Sequence, residues 1–199
     1  MKTTFLSLLL AICLVAALTS CIYDPQTGTI VVSEKICVNM DQYETDGDIG
    51  ARAVCDKFRE RLLDDINSHG ATMDDIVDIS VTSATYKLIK LKGHDWHLTA
   101  DVKVSRVDVS DGPATLVSFS NQSIDDLSGK PTNAALNAAG VELLNRALDD
   151  LLAGGDPQVA IELVDESIVP VPSMSDPLEF KWLACVEFQA VVDVSSKKK

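Results

Sequence analysis

The sequence has few basic residues and few histidines. It contains 17 Lys and Arg against 30 Asp and Glu, a formal net charge of −13, and three His. Because proteins bind phosphate backbones through Lys and Arg, this balance argues against nucleic-acid binding. The sequence also lacks the G-x-S-x-G turn of many serine hydrolases, and its histidines have no evident nucleophile partner.

Three motifs resemble metal or phosphate sites, and each departs from the required pattern. In "HDWH", His94 and His97 point to opposite faces of a strand, and no third ligand is evident. "DQYETDGDIG", residues 41–50, offers carboxylates to calcium but lacks the bidentate Glu of an EF-hand, so a helix-entry loop is the preferred interpretation. "SGKPT", residues 128–132, has Pro131 inside the phosphate-loop pattern. We therefore expect a non-enzymatic protein without metal or cofactor.

The apolar run near the beginning is too short for an ordinary membrane-spanning helix. It extends from Phe5 to Leu18, broken by Ser7, whereas a spanning helix needs about 20 residues. Lys2 precedes this run and small polar residues follow it, which is the layout of a secretory signal that is removed. We expect residues 1–20 to be that signal.

Leu18-Thr19-Ser20-Cys21 resembles the lipobox of bacterial lipoproteins, a likeness that covers only residues 1 to about 25. The resemblance implies cleavage between Ser20 and Cys21, with lipid on the Cys21 sulfur and usually an acyl chain, such as palmitate, on its amine. Such chains would anchor the protein to a membrane. Because Ile22 follows where enteric bacteria place Asp for inner-membrane retention, the analogy favours the outer membrane, with the protein facing the periplasm or the surface. The alternative is a plain signal peptide with an accidental cysteine.

The mature chain divides into a short lipidated tether (21–28), one domain (29–195) and a basic tail (196–199). Because Lys2 is the only charged residue of the leader, its removal leaves 16 basic and 30 acidic side chains, a net charge of −14. A surface of that charge favours solubility.

Hydrophobic periodicity predicts six strands and two helices. The first helix has Asp48 as its cap, buries Cys55, Leu62 and Ile66, among others, and ends at Gly70. The second begins at Pro131 and ends at Gly154. Strands are predicted over residues 29–40, 76–91, 96–104, 114–124, 159–169 and 177–194.

The order strand, helix, strand, strand occurs twice, and the sequence itself repeats. Residues 61–70 and 146–155 lie 85 positions apart and are identical at five of ten positions. This predicts a tandem duplication, with repeat 1 at about 29–110 and repeat 2 at about 114–195. The predicted fold is α+β: two strand-helix-strand-strand units side by side, forming one antiparallel sheet with both helices packed on one face.

Two features suggest specific contacts. Cys37 and Cys185 both lie on the strand parity opposite the main apolar one, so they are the predicted pair if a disulfide forms; the alternative is three buried free thiols, including Cys55. Small residues near Ala139 and Gly140 indicate either close helix packing or a shallow groove for a ligand or partner helix.

The leading functional hypothesis is a lipid-anchored envelope protein that binds another envelope component, which we expect to be a protein, or that supports an assembly. A second hypothesis is a carrier of a small apolar or lipid ligand, which requires an internal cavity. A third is an envelope hydrolase, which requires a cleft that gathers His94 or His97 with acids. A partner-binding protein should instead have a filled core and an exposed apolar patch.

Overall fold

β-Strands form most of the part of the chain that the computed structural model describes, residues 22–24, 28–44, 50–55, 58–68, 70–92 and 95–195. The strands are β1 (Ile22–Asp24), β2 (Thr29–Glu44), β3 (Gly50–Cys55), β4 (Ile76–Lys92), β5 (His97–Arg106), β6 (Asp111–Ser123), β7 (Thr132–Asn133), β8 (Val159–Val169) and β9 (Leu178–Asp193). The helices are α1 (Phe58–Ser68), α2 (Ile124–Leu127) and α3 (Ala138–Leu152), with a 3-10 turn at Met73–Asp75.

The strands form two sheets, so the predicted α+β class is wrong. Sheet A has the order β1-β2-β9-β4-β7 and sheet B the order β3-β8-β5-β6, and the paired strands within each sheet are antiparallel. On β5, buried and partly exposed residues alternate, so this strand has one apolar face. The apolar faces of the two sheets cover each other, so a layer of two helices is not needed to bury them.

The core lies between the sheets. On β5, Leu98, Ala100, Val102 and Val104 are buried, as the alternation over 96–104 predicts, and the residues between them are partly exposed. Phe119 of β6 contacts Tyr86 of β4 and Trp182 of β9, with ring centroids 5.1 and 6.1 Å apart. These edge-to-face aromatic contacts join the two sheets.

Helix α3 covers the core from one side. Its buried face contains Leu143, Leu144 and Leu148, and the helix contacts β4, β5 and β6. It begins at Ala138 and not at Pro131, because the Asn137 side chain accepts a hydrogen bond from the Ala139 N–H at 3.0 Å and caps the helix.

The first predicted helix is correct only in its second half. Residues 50–55 form β3, which pairs with β8, and α1 begins at Phe58. Leu62 and Ile66 are buried as predicted, and Gly70, with φ +75°, follows the end of the helix. Positions 51 and 55 misled the prediction because a separation of four places two residues on the same side of a strand as well as of a helix.

The two predicted repeats do not lie side by side, because each sheet contains strands from both halves. Sheet A has β9 between β2 and β4, and sheet B has β5 between β6 and β8. Exchanging β2 with β6, β4 with β8 and β5 with β9 converts the order β2-β9-β4 of sheet A into the order β6-β5-β8 of sheet B, which agrees with an 85-residue offset. Each half therefore places its last strand at the centre of the other half's sheet. The duplication itself stays a prediction.

Candidate functional site

The interior between the two sheets is nearly filled. Two voids of about 20 and 10 Å³ lie there, and Tyr86, Phe119 and Trp182 line both. A void needs about 10–15 Å³ to hold a single water molecule. Neither of these two voids has room for the apolar or lipid ligand of the carrier hypothesis.

The predicted groove residues lie on different sides of α3. Ala139 is exposed, whereas Gly140 is buried against β6. A Cβ at Gly140 would lie 2.5 Å from the Leu116 Cα and 2.6 Å from the Thr115 carbonyl oxygen. The structure thus places Gly140 in a helix-to-sheet contact and does not bring it together with Ala139 in one groove.

Cys37 and Cys185 face each other across the central pairing of sheet A. They are direct partners in the β2–β9 register, their Cα atoms are 4.0 Å apart, and the structure joins their sulfurs. The same parity carries Lys35 and Glu187, whose side chains form an ion pair at 2.9 Å. The disulfide therefore lies on the outer, polar face of the sheet. Cys55 ends β3, and its side chain lies outside what the structure describes.

The predicted lipidation site also lies outside the described residues. This holds for the leader (1–20), including Ser20, for Cys21 and for the basic tail (196–199). In the described chain, no helix is long and apolar enough to span a bilayer. Cleavage, lipidation and the location in the outer membrane therefore stay predictions.

Arg106 is a charged residue at a buried position, which the sequence analysis did not identify. Its guanidinium donates hydrogen bonds to the Asp108 carboxylate and, at 2.8 Å, to Asp150 of α3. Hydrogen bonding by Arg106 holds the pKa of Asp108 below its ordinary value, and the Gln158 N–H adds to this effect. The hydrogen bonds of Arg106 to Asp108 and Asp150 connect the β5–β6 hairpin to α3. Its signal in the sequence is that Arg106 continues the apolar parity of β5.

The one predicted histidine that the structure describes is not arranged for nucleophilic catalysis. His97 Nε2 lies 3.8 Å from an Asp95 oxygen, and the Ser123 hydroxyl donates to the other Asp95 oxygen at 2.8 Å. Asp95 thus lies between serine and histidine, whereas a hydrolytic triad needs histidine in the middle. The Ser123 oxygen also accepts from the Asp126 N–H and caps α2. His94 lies outside the described residues.

A shallow depression of about 380 Å³ opens on the outer side of sheet B. Its lining includes Arg52, Glu162, Arg106 and Asp111, so charges of both signs surround it. Asp111 and Arg106 already have partners, since Asp111 accepts from Arg146 at 2.9 Å and Arg106 is paired as above. Among the residues that the structure describes, no group of His, Cys, Asp and Glu is placed to hold a metal ion.

The end of β8 and its connection to β9 expose large apolar side chains. Val169, Val171 and Met174 are 59, 68 and 89% exposed. Ser173 and Asp176 exchange two backbone hydrogen bonds of 3.0 Å, which fix the shape of the loop. We call residues 169–175 the apolar turn; they include no charged residue. Such a group of exposed apolar residues is typical of an interaction site.

Comparisons with known proteins give no family. No protein-family model matches this chain, and no curated protein matches it in sequence.

Among solved structures, the chain is similar to the BFDV capsid protein of a decameric crystal structure, with 11% identity, a TM-score of 0.34, and coverage of 80% of this chain and 98% of that one. It is also similar to a structure of infectious bursal disease virus, Gx strain, with 10% identity, a TM-score of 0.33, and coverage of 83% and 37%. A nora virus structure has 12% identity, a TM-score of 0.25, and coverage of 79% and 59%. At these values the likeness assigns neither a fold family nor a function to this chain.

Proposed function

We propose that this chain is a lipid-anchored, non-catalytic protein of the bacterial outer membrane that binds another protein of the envelope. The observation that carries the proposal is a filled core combined with an exposed apolar turn. A carrier would need a cavity, whereas a binding protein exposes apolar surface that its partner covers. The small size of the two voids between the sheets and the exposure of Val171 and Met174 favour the binding protein.

The position of the apolar turn supports this proposal. The turn precedes Leu178, where β9 begins, and β9 runs 16 residues to Asp193, which pairs with Thr29 near the predicted anchor. At about 3.3 Å per residue, this strand is about 50 Å long. The apolar turn and the lipidated cysteine would therefore lie at opposite ends of sheet A, and the turn would face away from the membrane that holds Cys21.

The anchor is tested by the intact mass of the mature protein. The expected protein begins at Cys21 and carries the mass of a diacylglyceryl group, usually with an added acyl chain. Cys21→Ser should leave the leader uncleaved or release an unmodified chain. A mature protein without lipid mass would contradict the anchor.

Partner binding is tested by capture from detergent-solubilised envelope with residues 22–199 as bait. The native chain should retain an envelope protein, and the retained amount should saturate as more envelope extract is added. The double variant Val171→Ser/Met174→Ser should not retain this protein. The matched control is Val77→Ser/Val109→Ser, because these valines are 63 and 57% exposed but do not belong to the turn. Equal capture by both variants and the native chain would show that the apolar turn is not the binding surface.

A further inference from the structure

The apolar turn begins on the outer face of sheet B. Ile168 is buried in the core, so Val169, the next residue of β8, points to the opposite face of the sheet. Val169 is the direct partner of His97 in the β5–β8 register, and neighbouring strands lie about 4.8 Å apart. The chain then continues past the end of β8, with Val171 and Met174 exposed. His97 therefore lies beside the start of the apolar turn.

Three aspartates lie next to His97. One Asp95 oxygen is 3.8 Å from His97 Nε2, and the side chains of His97 and Asp95 are 41 and 47% exposed. The other Asp95 oxygen accepts hydrogen bonds from the Ser123 hydroxyl at 2.8 Å and from the Asp125 N–H at 3.5 Å. Asp125 and Asp126 are exposed on α2. We call Asp95, Asp125 and Asp126 the acidic edge; these contacts place it beside the start of the apolar turn.

The segments that form this surface contain no lysine or arginine. Residues 95–97, 123–127 and 169–176 hold four aspartates, and His97 is their only basic side chain. Exposed apolar surface and negative charge therefore adjoin each other here. A partner that covers both must bring apolar side chains to the turn and positive charge to the aspartates, because like charges placed together oppose association.

We propose that the partner covers the apolar turn with a basic amphipathic segment, in which apolar side chains are interspersed with Lys and Arg. Its apolar side chains contact Val171 and Met174, and its cations lie over the acidic edge. The proposal rests on the proposed function, since it takes the apolar turn as the binding surface, and adds the chemistry of the partner. An exposed ion pair strengthens binding about two- to threefold, so three of them together contribute roughly tenfold at low salt.

The experiment titrates residues 22–199 into three fluorescent peptides of equal length and follows their anisotropy at low and high salt. The first peptide has Leu on one face of a helix and Lys on the other. The second has Glu in place of Lys, and the third has Ser in place of Leu. Only the Leu/Lys peptide should bind saturably and with measurable affinity, because only this peptide matches both the turn and the acidic edge. The double variant Val171→Ser/Met174→Ser should bind it more weakly than the unsubstituted chain.

Two triple variants remove the same charge from different places. The edge variant replaces the acidic edge: Asp95→Asn/Asp125→Asn/Asp126→Asn. The control replaces three exposed aspartates elsewhere: Asp64→Asn/Asp78→Asn/Asp149→Asn. Asparagine at position 95 keeps an oxygen that can accept from Ser123, and circular dichroism checks that both variants fold. At low salt the edge variant should bind the Leu/Lys peptide roughly tenfold more weakly than the unsubstituted chain, and high salt should reduce the difference. The control should keep most of the affinity.

Three results would overturn the proposal. The first is binding of the Leu/Glu peptide as tight as that of the Leu/Lys peptide, or no binding of the Leu/Lys peptide at all. The second is equal affinity of the edge variant and the unsubstituted chain. The third is an equal loss in the control variant, which would show that only the total charge matters. None of these decides the proposed function, because the capture experiment with the Val171→Ser/Met174→Ser variant tests that separately.

Discussion

Replacing Gly140 with alanine sets two effects of opposite sign against each other. Alanine favours a helix over glycine by at most about 1 kcal/mol here, because Gly140 lies in the first turn of α3. Against this, a Cβ would lie 2.5 Å from the Leu116 Cα, whereas carbon atoms in contact are about 3.5–4.0 Å apart. The helix and β6 would have to separate by on the order of 1 Å.

That separation is costly because both partners are backbone. The Asn137 N–H donates to the Leu116 carbonyl at 2.8 Å, so the first turn of α3 is tied to the residue that the new Cβ would meet. Overpacking of this kind costs typically about 1–3 kcal/mol, and the absence of a flexible side chain favours the upper part of this range. After the gain in helix propensity, we expect Gly140→Ala to lower the free energy of unfolding by about 2 kcal/mol.

The assay is urea unfolding followed by circular dichroism, together with the thermal midpoint, which should fall by about 4–8 °C. Ala139→Gly is the control, because Ala139 is exposed on the same turn and should lose only the helix propensity, at most about 1 kcal/mol. If Gly140→Ala were as stable as the native protein or more stable, the close contact between α3 and β6 would be wrong.

Three further perturbations test other parts of the fold. Cys37→Ala/Cys185→Ala should lower the free energy of unfolding by about 5 kcal/mol in the chain-entropy treatment of a 148-residue separation; equal urea midpoints for variant and oxidised native protein would refute this. Because hydrogen bonding by Arg106 lowers the pKa of Asp108, this pair should stabilise the protein above about pH 4 and lose that effect as the pH falls. Asp108→Asn should therefore flatten the loss of stability between about pH 5 and 3, and an unchanged pH profile would contradict the assignment. Phe119→Ala, which removes the ring between the two sheets, should cost about 3–5 kcal/mol by urea unfolding; a loss under about 1 kcal/mol would show that the ring is not central to the core.

Strand periodicity predicted part of the fold because strands such as β5 bury alternate residues. The alternation over 96–104 matches β5 residue by residue, and the predicted strand over 159–169 has the bounds of β8. Parity also placed Cys37 and Cys185 on one face. Their direct opposition depends on register, which the sequence does not contain.

The division into two sheets could not be predicted in the same way. Alternation shows which face of a strand is apolar. It does not show whether a helix or a second sheet buries that face, because both can do so. The exposure of the apolar turn is also invisible to this reasoning, because Val169 ends the predicted strand over 159–169, Val171 lies in the predicted connection, and alternation does not show which of these side chains reaches solvent. Their exposure becomes evident only once β8 has ended and the chain has turned into β9.

The exchange of last strands between the two halves has a consequence for how the chain reaches its native state. β9 occupies the middle of sheet A, so β2 and β4 have no native neighbour between them until residues 178–193 have been synthesised. Contacts of such large sequence separation form slowly, because the intervening chain must first be closed into a loop. We therefore expect sheet A to stay incomplete in the nascent chain until its last strand is available, which would suit the proposed export of the protein before it folds.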